Sequence, residues 1–128
     1  YNMTCKTVFK IGISSLDESD VYSIIDYIGV EPGITDNFLY YGLIKNDTDI
    51  DNFSLHQQLN DTLSLLYNKK EILKRLKEMY SIYYIVDVKF SNIEEEIERN
   101  TSFLIDLEAK EFINYIDAFY NLNDGYFD

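Results

Sequence analysis

Three aspartates recur at alternate positions within residues 45–52 (KNDTDIDN): Asp47, Asp49 and Asp51. Helix-loop-helix calcium sites begin with acidic residues at loop positions one, three and five, so the spacing suggests a calcium loop. Such a loop needs a sharp turn, normally glycine, at position six and a bidentate glutamate at position twelve. Here those positions hold Asn52 and Gln58, and a predicted strand precedes them where a helix is required. Because Asp and Asn also bond to nearby backbone in turns and helix caps, we predict a turn and cap, and no metal site.

The other residue types that could perform catalysis do not form a recognisable site. Cys5 and His56 are the only cysteine and histidine, and a Cys–His nucleophilic pair also needs a third group to orient the base. A run of glutamates lies in a polar connector between predicted strands: Glu94, Glu95, Glu96 and Glu98. Acid–base catalysis by carboxyl groups requires one of them to be buried, so that their pKa values separate. The chain also lacks a glycine-rich phosphate loop. We therefore expect no enzyme activity and no cofactor.

The charge of the chain is strongly acidic, with a formal net charge of −12 over 128 residues. The basic residues concentrate in one predicted helix: Lys69, Lys70, Lys74, Arg75 and Lys77. They occupy the positions that the apolar stripe of this helix leaves free, so we predict a solvated helix face. An acidic surface repels nucleic acid and anionic membranes and attracts cationic partners. We expect binding to neither nucleic acid nor membrane.

Capping signals predict where the helices begin and end. Ser15 and Glu18 have the spacing of a capping box, and Gly29 can close the helix that follows. Asn68 and Glu71 repeat the spacing at the start of the basic helix. The last helix is predicted to start near residue 108 and to turn three apolar residues inward: Phe112, Ile116 and Phe119.

Apolar runs, several with alternating residues, predict five strands, at residues 7–13, 37–44, 83–90, 101–107 and 121–128. With the helices, the order along the chain is β-α-β-α-α-β-β-α-β. This order predicts an α+β fold with a mixed, largely antiparallel sheet of about five strands and helices packed mainly on one face. We expect a single domain over residues 1–128, with residues 1–6 as a mobile terminus. Residues 1–13 lack the apolar core of a signal peptide, so we expect a cytoplasmic protein.

The alternation also assigns residues to the two faces of the sheet. One set is predicted to face the helices: Phe9, Ile11, Ile13, Tyr84, Val86, Val88, Phe103 and Ile105. The other set is predicted to face away, beside Lys10, Asp87 and Asp106: Leu39, Tyr41, Leu43, Tyr83, Ile85 and Leu104. Tyrosines and leucines on an open sheet face are typical of a protein interface. The alternative is that the central helices or a dimer partner cover this face.

Three stretches resemble a known group of small bacterial proteins, described only as a domain of unknown function. They are YIGVEPG at residues 27–33, FSLHQQLNDTLSLLYNKKEILKRL at 53–76 and FLIDLEAKEFINYIDAFYNLNDGYFD at 103–128. The resemblance covers nearly the whole chain from Thr7. The second strand of that group often carries a Trp, where this chain has Tyr40-Tyr41-Gly42-Leu43. Such proteins are often encoded beside polymorphic or contact-dependent toxin genes, so the resemblance implies an immunity protein.

We therefore predict a non-enzymatic protein that binds and neutralises a cognate bacterial toxin. Acidic side chains are predicted to attract the toxin: Asp47, Asp49, Asp51, Glu94, Glu95, Glu96 and Glu98. Tyr41, Tyr83 and Ile85 are predicted to anchor it. The alternative function is that of a housekeeping or scaffold domain that forms a homodimer through its sheet face.

Overall fold

The structure is a computed structural model that describes residues 3–47, 59–91 and 107–124, with side chains described for 7–42, 59–88 and 107–121. The strands are β1 (Met3–Gly12), β2 (Gly33–Ile34), β3 (Phe38–Asp47), β4 (Tyr83–Ser91) and β5 (Phe119–Asp124). The helices are α1 (Glu18–Ile28), α2 (Lys70–Met79) and α3 (Leu107–Tyr115). Residues 59–64 are also helical, and a 3-10 turn, Tyr67–Lys69, leads into α2. The predicted α+β class is confirmed.

The five strands form one sheet in the order β2-β3-β1-β4-β5. The central strand, β1, pairs antiparallel with both β3 and β4, and β2 pairs antiparallel with β3. Only β5 is parallel to its neighbour, β4. The predicted mixed, largely antiparallel sheet is therefore confirmed. Parallel neighbours need a crossover connection, and α3 lies in the connection between β4 and β5.

The helices pack on one face of this sheet, as predicted. They contribute buried residues to a single apolar cluster: Ile24, Ile28, Leu59, Leu63, Leu73, Leu76, Ala109, Phe112 and Ile113. The Phe9 ring of β1 lies inside the cluster, 5.6 Å from the Tyr84 ring and 6.4 Å from that of Phe112. The Tyr84 hydroxyl donates a hydrogen bond to the Leu73 carbonyl oxygen, which joins β4 to α2. The core therefore lies between the sheet and the helices.

The register of β3 contradicts the face predicted for two of its residues. Leu39 lies opposite Ile11 of β1, and Tyr41 lies opposite Phe9. Residues directly opposite each other in a sheet share a face, so Leu39 and Tyr41 point into the core with Ile11 and Phe9. Both are buried. The prediction that they face away from the helices is wrong, whereas Phe9, Ile11, Ile13, Tyr84, Val86 and Val88 lie in the core as predicted.

Two of the predicted helix starts are also wrong. The cap of α1 is Asp17, whose carboxylate accepts from the backbone N–H of Asp20 at 2.9 Å, and the Ser15 hydroxyl instead donates to the Ser81 carbonyl oxygen. The capping position of α2 is Lys69, not Asn68, and its side chain makes no capping hydrogen bond. The 3-10 turn Tyr67–Lys69 runs directly into α2, so the chain is already helical where the helix begins. The predicted end of α1 is confirmed, since Gly29 has the left-handed conformation with φ of 75°.

Several strand boundaries differ from the predictions. Residues 3–6, predicted as part of a mobile terminus, belong to β1, and Gly33 starts a two-residue strand where we predicted a turn. Pro32 has no N–H to extend that pairing. Phe119 is an exposed residue of β5 rather than a buried helix residue. The predicted strand 101–107 lies outside the described residues except for Leu107, which begins α3. Residues 48–58, with most of the aspartate triplet and His56, also lie outside them.

Candidate functional site

The face of the sheet opposite the helices presents exposed aromatic rings. The register places Tyr40, Lys10, Ile85 and Phe119 side by side in one row across β3, β1, β4 and β5. Phe38, Gly12 and Tyr83 form the next row. Phe119 is 63% exposed, Tyr40 41% and Tyr83 39%. We call this surface the aromatic face and define it as Phe38, Tyr40, Tyr83, Ile85 and Phe119.

Two glycines leave room for rings of the aromatic face to lie over neighbouring strands. A Cβ atom at Gly12 would lie 2.4 Å from Cζ of Tyr83, and one at Gly33 would lie 2.1 Å from Cζ of Tyr40. Real Cβ atoms do not approach other heavy atoms so closely, and therefore both rings occupy the space that the missing side chains leave. Each ring therefore lies over the backbone of a neighbouring strand and is still partly exposed, so the surface is formed before any partner binds.

An ion pair lies beside the aromatic rings. The Lys10 ammonium is 3.2 Å from Oδ2 of Asp87, and it also lies over the Phe38 ring, 5.5 Å from the centroid. The Phe38 ring meets the Tyr83 ring edge to face, with their centroids 6.3 Å apart. Asp87 is buried, as is Val8 on the same face. The exposed part of this face therefore lies at the end that holds Phe38, away from Val8 and Asp87. The Lys10 ammonium at its centre is neutralised by the Asp87 carboxylate. The placement of Lys10 and Asp87 on this face was predicted.

The predicted anchors divide between the two faces of the sheet. Tyr83 and Ile85 belong to the aromatic face, as predicted. Tyr41 is only 4% exposed, and its hydroxyl donates a hydrogen bond of 2.9 Å to the Val30 carbonyl oxygen. Burial, and then the nearby carboxylate of Glu31, raise the pKa of the Tyr41 phenol to about 12. Tyr41 therefore connects β3 to the loop after α1, and it offers no surface to a partner.

The predicted acidic contacts lie almost entirely outside the described residues. Asp47 is the last residue of β3. The others fall in the ranges 48–58 and 92–106: Asp49, Asp51, Glu94, Glu95, Glu96 and Glu98. Their role in attracting a partner stays a prediction.

Sequence reasoning missed three members of the aromatic face. Phe38 and Tyr40 alternate with Leu39 and Tyr41, so reversing the assumed face of β3 brings the first pair to the surface. Residues 38–41 are all apolar or aromatic, and the alternation therefore gave no signal of which pair is buried. Phe119 was missed because its spacing from Phe112 and Ile116 fits a helix, whereas the helix ends before it.

The basic residues of α2 make specific contacts with α3 and the turn after it. The ammonium groups of Lys70 and Lys74 lie 5.1 Å and 4.3 Å from the centroid of the Tyr115 ring. The Tyr115 hydroxyl donates a 2.7 Å hydrogen bond to Oε1 of Glu71. This bond, followed by burial, raises the pKa of the Tyr115 phenol. These side chains therefore join the two helices, beyond the solvated role that the sequence predicted.

Neither a metal centre nor a membrane-spanning helix is found in the part of the chain that the structure describes. No three His, Cys, Asp or Glu residues are grouped there so as to hold a metal ion. None of its helices has the length and apolar composition needed to cross a bilayer. Comparison of the chain with protein-family models, curated proteins and solved structures gives no match. The resemblance to the bacterial group of unknown function therefore stays a prediction.

Proposed function

We propose that this protein is a protein-binding module and that the aromatic face is its contact surface. The observation that carries the proposal is the exposure of Phe119, Tyr40 and Tyr83 on the side of the sheet away from the helices. Aromatic residues are enriched at protein interfaces, where they bury a large area with little loss of conformational freedom. The close packing of Tyr83 over Gly12 and of Tyr40 over Gly33 supports this, because surfaces already ordered in the free protein bind at lower entropic cost.

The polar groups of the face also suit a protein partner. The Lys10–Asp87 pair leaves no net charge at the centre of the aromatic face. Covering the face with apolar side chains therefore does not bury an unpaired charge. Where the pair stays accessible, the Lys10 ammonium can donate one hydrogen bond to the partner or the Asp87 carboxylate can accept one. Such a bond would fix the orientation of the partner. A neutral aromatic centre on a protein of net charge −12 favours a partner with an apolar patch inside a basic rim.

The narrower form of the proposal is an immunity protein that neutralises a cognate bacterial toxin in the cytoplasm. It is supported by the net charge and by the resemblance described above. Enzymes that act on nucleic acid carry cationic active sites, and an acidic protein is attracted to such a site over long range. In this form the acidic ranges 47–51 and 94–98 speed association, and Tyr83 and Ile85 with the rest of the aromatic face hold the complex.

The alternative is that the aromatic face forms a homodimer interface in a housekeeping or scaffold domain. Two copies that meet through the aromatic face would cover the same rings, and the neutral Lys10–Asp87 pair lowers the repulsion between two acidic chains there. The molar mass in solution distinguishes the two functions, because a toxin-binding protein leaves its contact face free until the toxin is present.

The test uses the product of a secreted-toxin gene adjacent to the gene for this protein as the binding probe. Phe119→Asp places a charge in the aromatic face, and Leu65→Asp makes the same charge change on the helix side, where Leu65 is 52% exposed. We expect wild type and Leu65→Asp to bind the toxin in calorimetry, and Phe119→Asp to bind at least a hundredfold more weakly, a typical hot-spot loss of about 3 kcal/mol. Circular dichroism checks that both variants fold.

Each other outcome overturns a defined part of the proposal. Equal binding by both variants would show that the aromatic face is not the contact surface. Absence of binding by the wild-type protein would remove the immunity form. If light scattering gives a dimer for wild type and a monomer for Phe119→Asp, the face belongs to the homodimer and the alternative is correct.

A further inference from the structure

The Lys10–Asp87 ion pair lies in the middle of the aromatic face, where a partner that binds the face must cover it. In the row across the sheet, Lys10 stands between Tyr40 and Phe119, one strand from the first and two strands from the second. Neighbouring strands are about 4.8 Å apart, so the backbones at Tyr40 and Phe119 are separated by about 14 Å. A contact surface that uses both of these exposed rings therefore includes the Lys10 ammonium between them.

The Lys10 ammonium has more hydrogen-bond donors than the protein itself satisfies. An ammonium group carries three N–H donors. Oδ2 of Asp87 accepts one of them at 3.2 Å, and the Phe38 ring, with its centroid 5.5 Å away, can attract a second. The Lys10 side chain makes no other hydrogen bond, ion pair or ring contact with the part of the chain that the structure describes. Because this side chain is 27% exposed, at least one donor remains available to a partner.

Asp87 is the less accessible member of the pair. Its side chain is 10% exposed, and it has a further interaction besides the ion pair with Lys10. A partner therefore reaches the pair through the Lys10 ammonium. Covering a charged donor without giving it an acceptor costs free energy, because the donor loses its hydrogen bonds to water. A partner oxygen that accepts the remaining N–H of Lys10 offsets this cost.

The charges around the pair favour a neutral acceptor over a carboxylate. Asp87 already neutralises Lys10, so a carboxylate of the partner would bring a second negative charge next to Asp87, on a chain of net charge −12. A neutral oxygen accepts the same hydrogen bond without that repulsion. We propose that the partner of the aromatic face presents a main-chain carbonyl or side-chain amide oxygen to the Lys10 ammonium, which makes Lys10 a specificity-determining residue of the face. This inference rests on the proposed function, since it names a group of the protein that binds there.

The experiment removes the ion pair without changing the net charge of the chain. A double variant, Lys10→Met with Asp87→Asn, removes the Lys10 donors and leaves no unpaired ion. The matched control, Lys77→Met with Asp117→Asn, removes an ion pair of the same length on the helix side, 3.1 Å against 3.2 Å. Asn tolerates the positive φ at residue 117 better than most residues do. The binding probe is the product of a secreted-toxin gene adjacent to the gene for this protein, and surface plasmon resonance measures both rate constants.

We expect the control to bind the toxin as tightly as the wild type does. The variant at Lys10 and Asp87 should bind about five- to a hundredfold more weakly, because the oxygen of the partner is then buried without a donor. The dissociation rate should account for this loss, and the association rate should stay the same because the net charge is unchanged. Circular dichroism checks that both variants fold. A second measurement needs no variant: the ¹⁵Nζ signal of Lys10 in labelled wild-type protein should shift when the toxin is added.

The inference is overturned if the variant at Lys10 and Asp87 binds as tightly as the wild type, or if the Lys10 signal is unchanged in the complex. Either result would mean that the partner makes no direct hydrogen bond to Lys10. Phe119→Asp separates this failure from a failure of the proposed function, since its loss of binding would still identify the aromatic face as the contact surface. Absence of toxin binding by the wild-type protein would remove the immunity form, and this inference with it.

Discussion

Replacing Tyr41 by Phe tests whether this tyrosine belongs to the core, where the structure places it, or to a binding surface. The variant keeps the ring and removes the hydroxyl that donates to the Val30 carbonyl oxygen. Because Tyr41 is buried, the carbonyl loses its partner without gaining full access to water, at a cost of about 1 to 2 kcal/mol. At a urea m-value of about 2 kcal/mol/M, the unfolding midpoint at pH 8 should fall by about 0.5 to 1 M.

The pH dependence of this difference gives an independent check. The pKa of the Tyr41 phenol is about 12 in the folded protein because of burial and the Glu31 carboxylate, against 10.0 for an ordinary tyrosine. The folded state therefore holds this proton more tightly, so its contribution is complete below pH 10 and is lost as pH rises toward 12. The wild type loses about 1.4 kcal/mol per pH unit through Tyr41 in this window, and the Phe variant does not. At that rate an advantage of about 1 to 2 kcal/mol should vanish between about pH 10.7 and 11.5.

Tyr40→Phe is the matched control, one residue away on the other face of β3. Tyr40 is exposed, and its hydroxyl bonds to no described residue, so we expect a change within about 0.5 kcal/mol at pH 8. Equilibrium urea unfolding followed by circular dichroism from pH 8 to 11.5 measures all three proteins. An equal loss in both variants would refute the assignment of Tyr41 to the core. A wild-type advantage that stays constant across this range would refute the linkage argument.

Two further predictions concern local backbone structure. Asp17→Ala should lower the thermal midpoint of unfolding, and Ser15→Ala should not, because Asp17 alone caps α1. Its hydrogen bonds lower the pKa of Asp17 below 3.8, so this stabilisation is present above pH 3.8 and is lost as pH falls through the folded-state pKa. An effect of Asp17→Ala that does not shrink as the pH is lowered below 3.8 would contradict this. Asp117 has a positive φ of 54°, so Asp117→Ala should cost about 1 kcal/mol in urea unfolding. Asp117→Gly should cost less, since glycine accepts this conformation and Lys77 still reaches the backbone oxygen of residue 117; equal losses would contradict the backbone argument.

Most of the fold could be predicted from the sequence because its signals are local. The spacing of Ile24 and Ile28 indicated α1, and the alternation of Phe9 and Ile11 indicated β1, without any knowledge of their neighbours. Gly29 indicated the end of α1 for an equally local reason, the conformation that only glycine adopts at low cost. Spacing alone does not select between two nearby polar residues as the cap, since Ser15 and Asp17 both fit the start of α1.

The candidate site could be predicted only in part. Tyr83 and Ile85 alternate with core residues of β4, and that alternation placed them correctly on the open face. Phe119 was hidden because helical spacing continued past the true end of α3.

The amino-acid sequence by itself determined the types of most elements, the two-layer arrangement and the acidic character of this protein, since these follow from residue spacing and composition. The tertiary structure alone decided which face of β3 is buried, because residues 38–41 are apolar or aromatic on both faces and only pairing with β1 selects between them. That pairing turns Tyr41 inward and Tyr40 outward. It also places Tyr40, Ile85 and Phe119, which three separate strands supply, in one row, and no local pattern can encode that row.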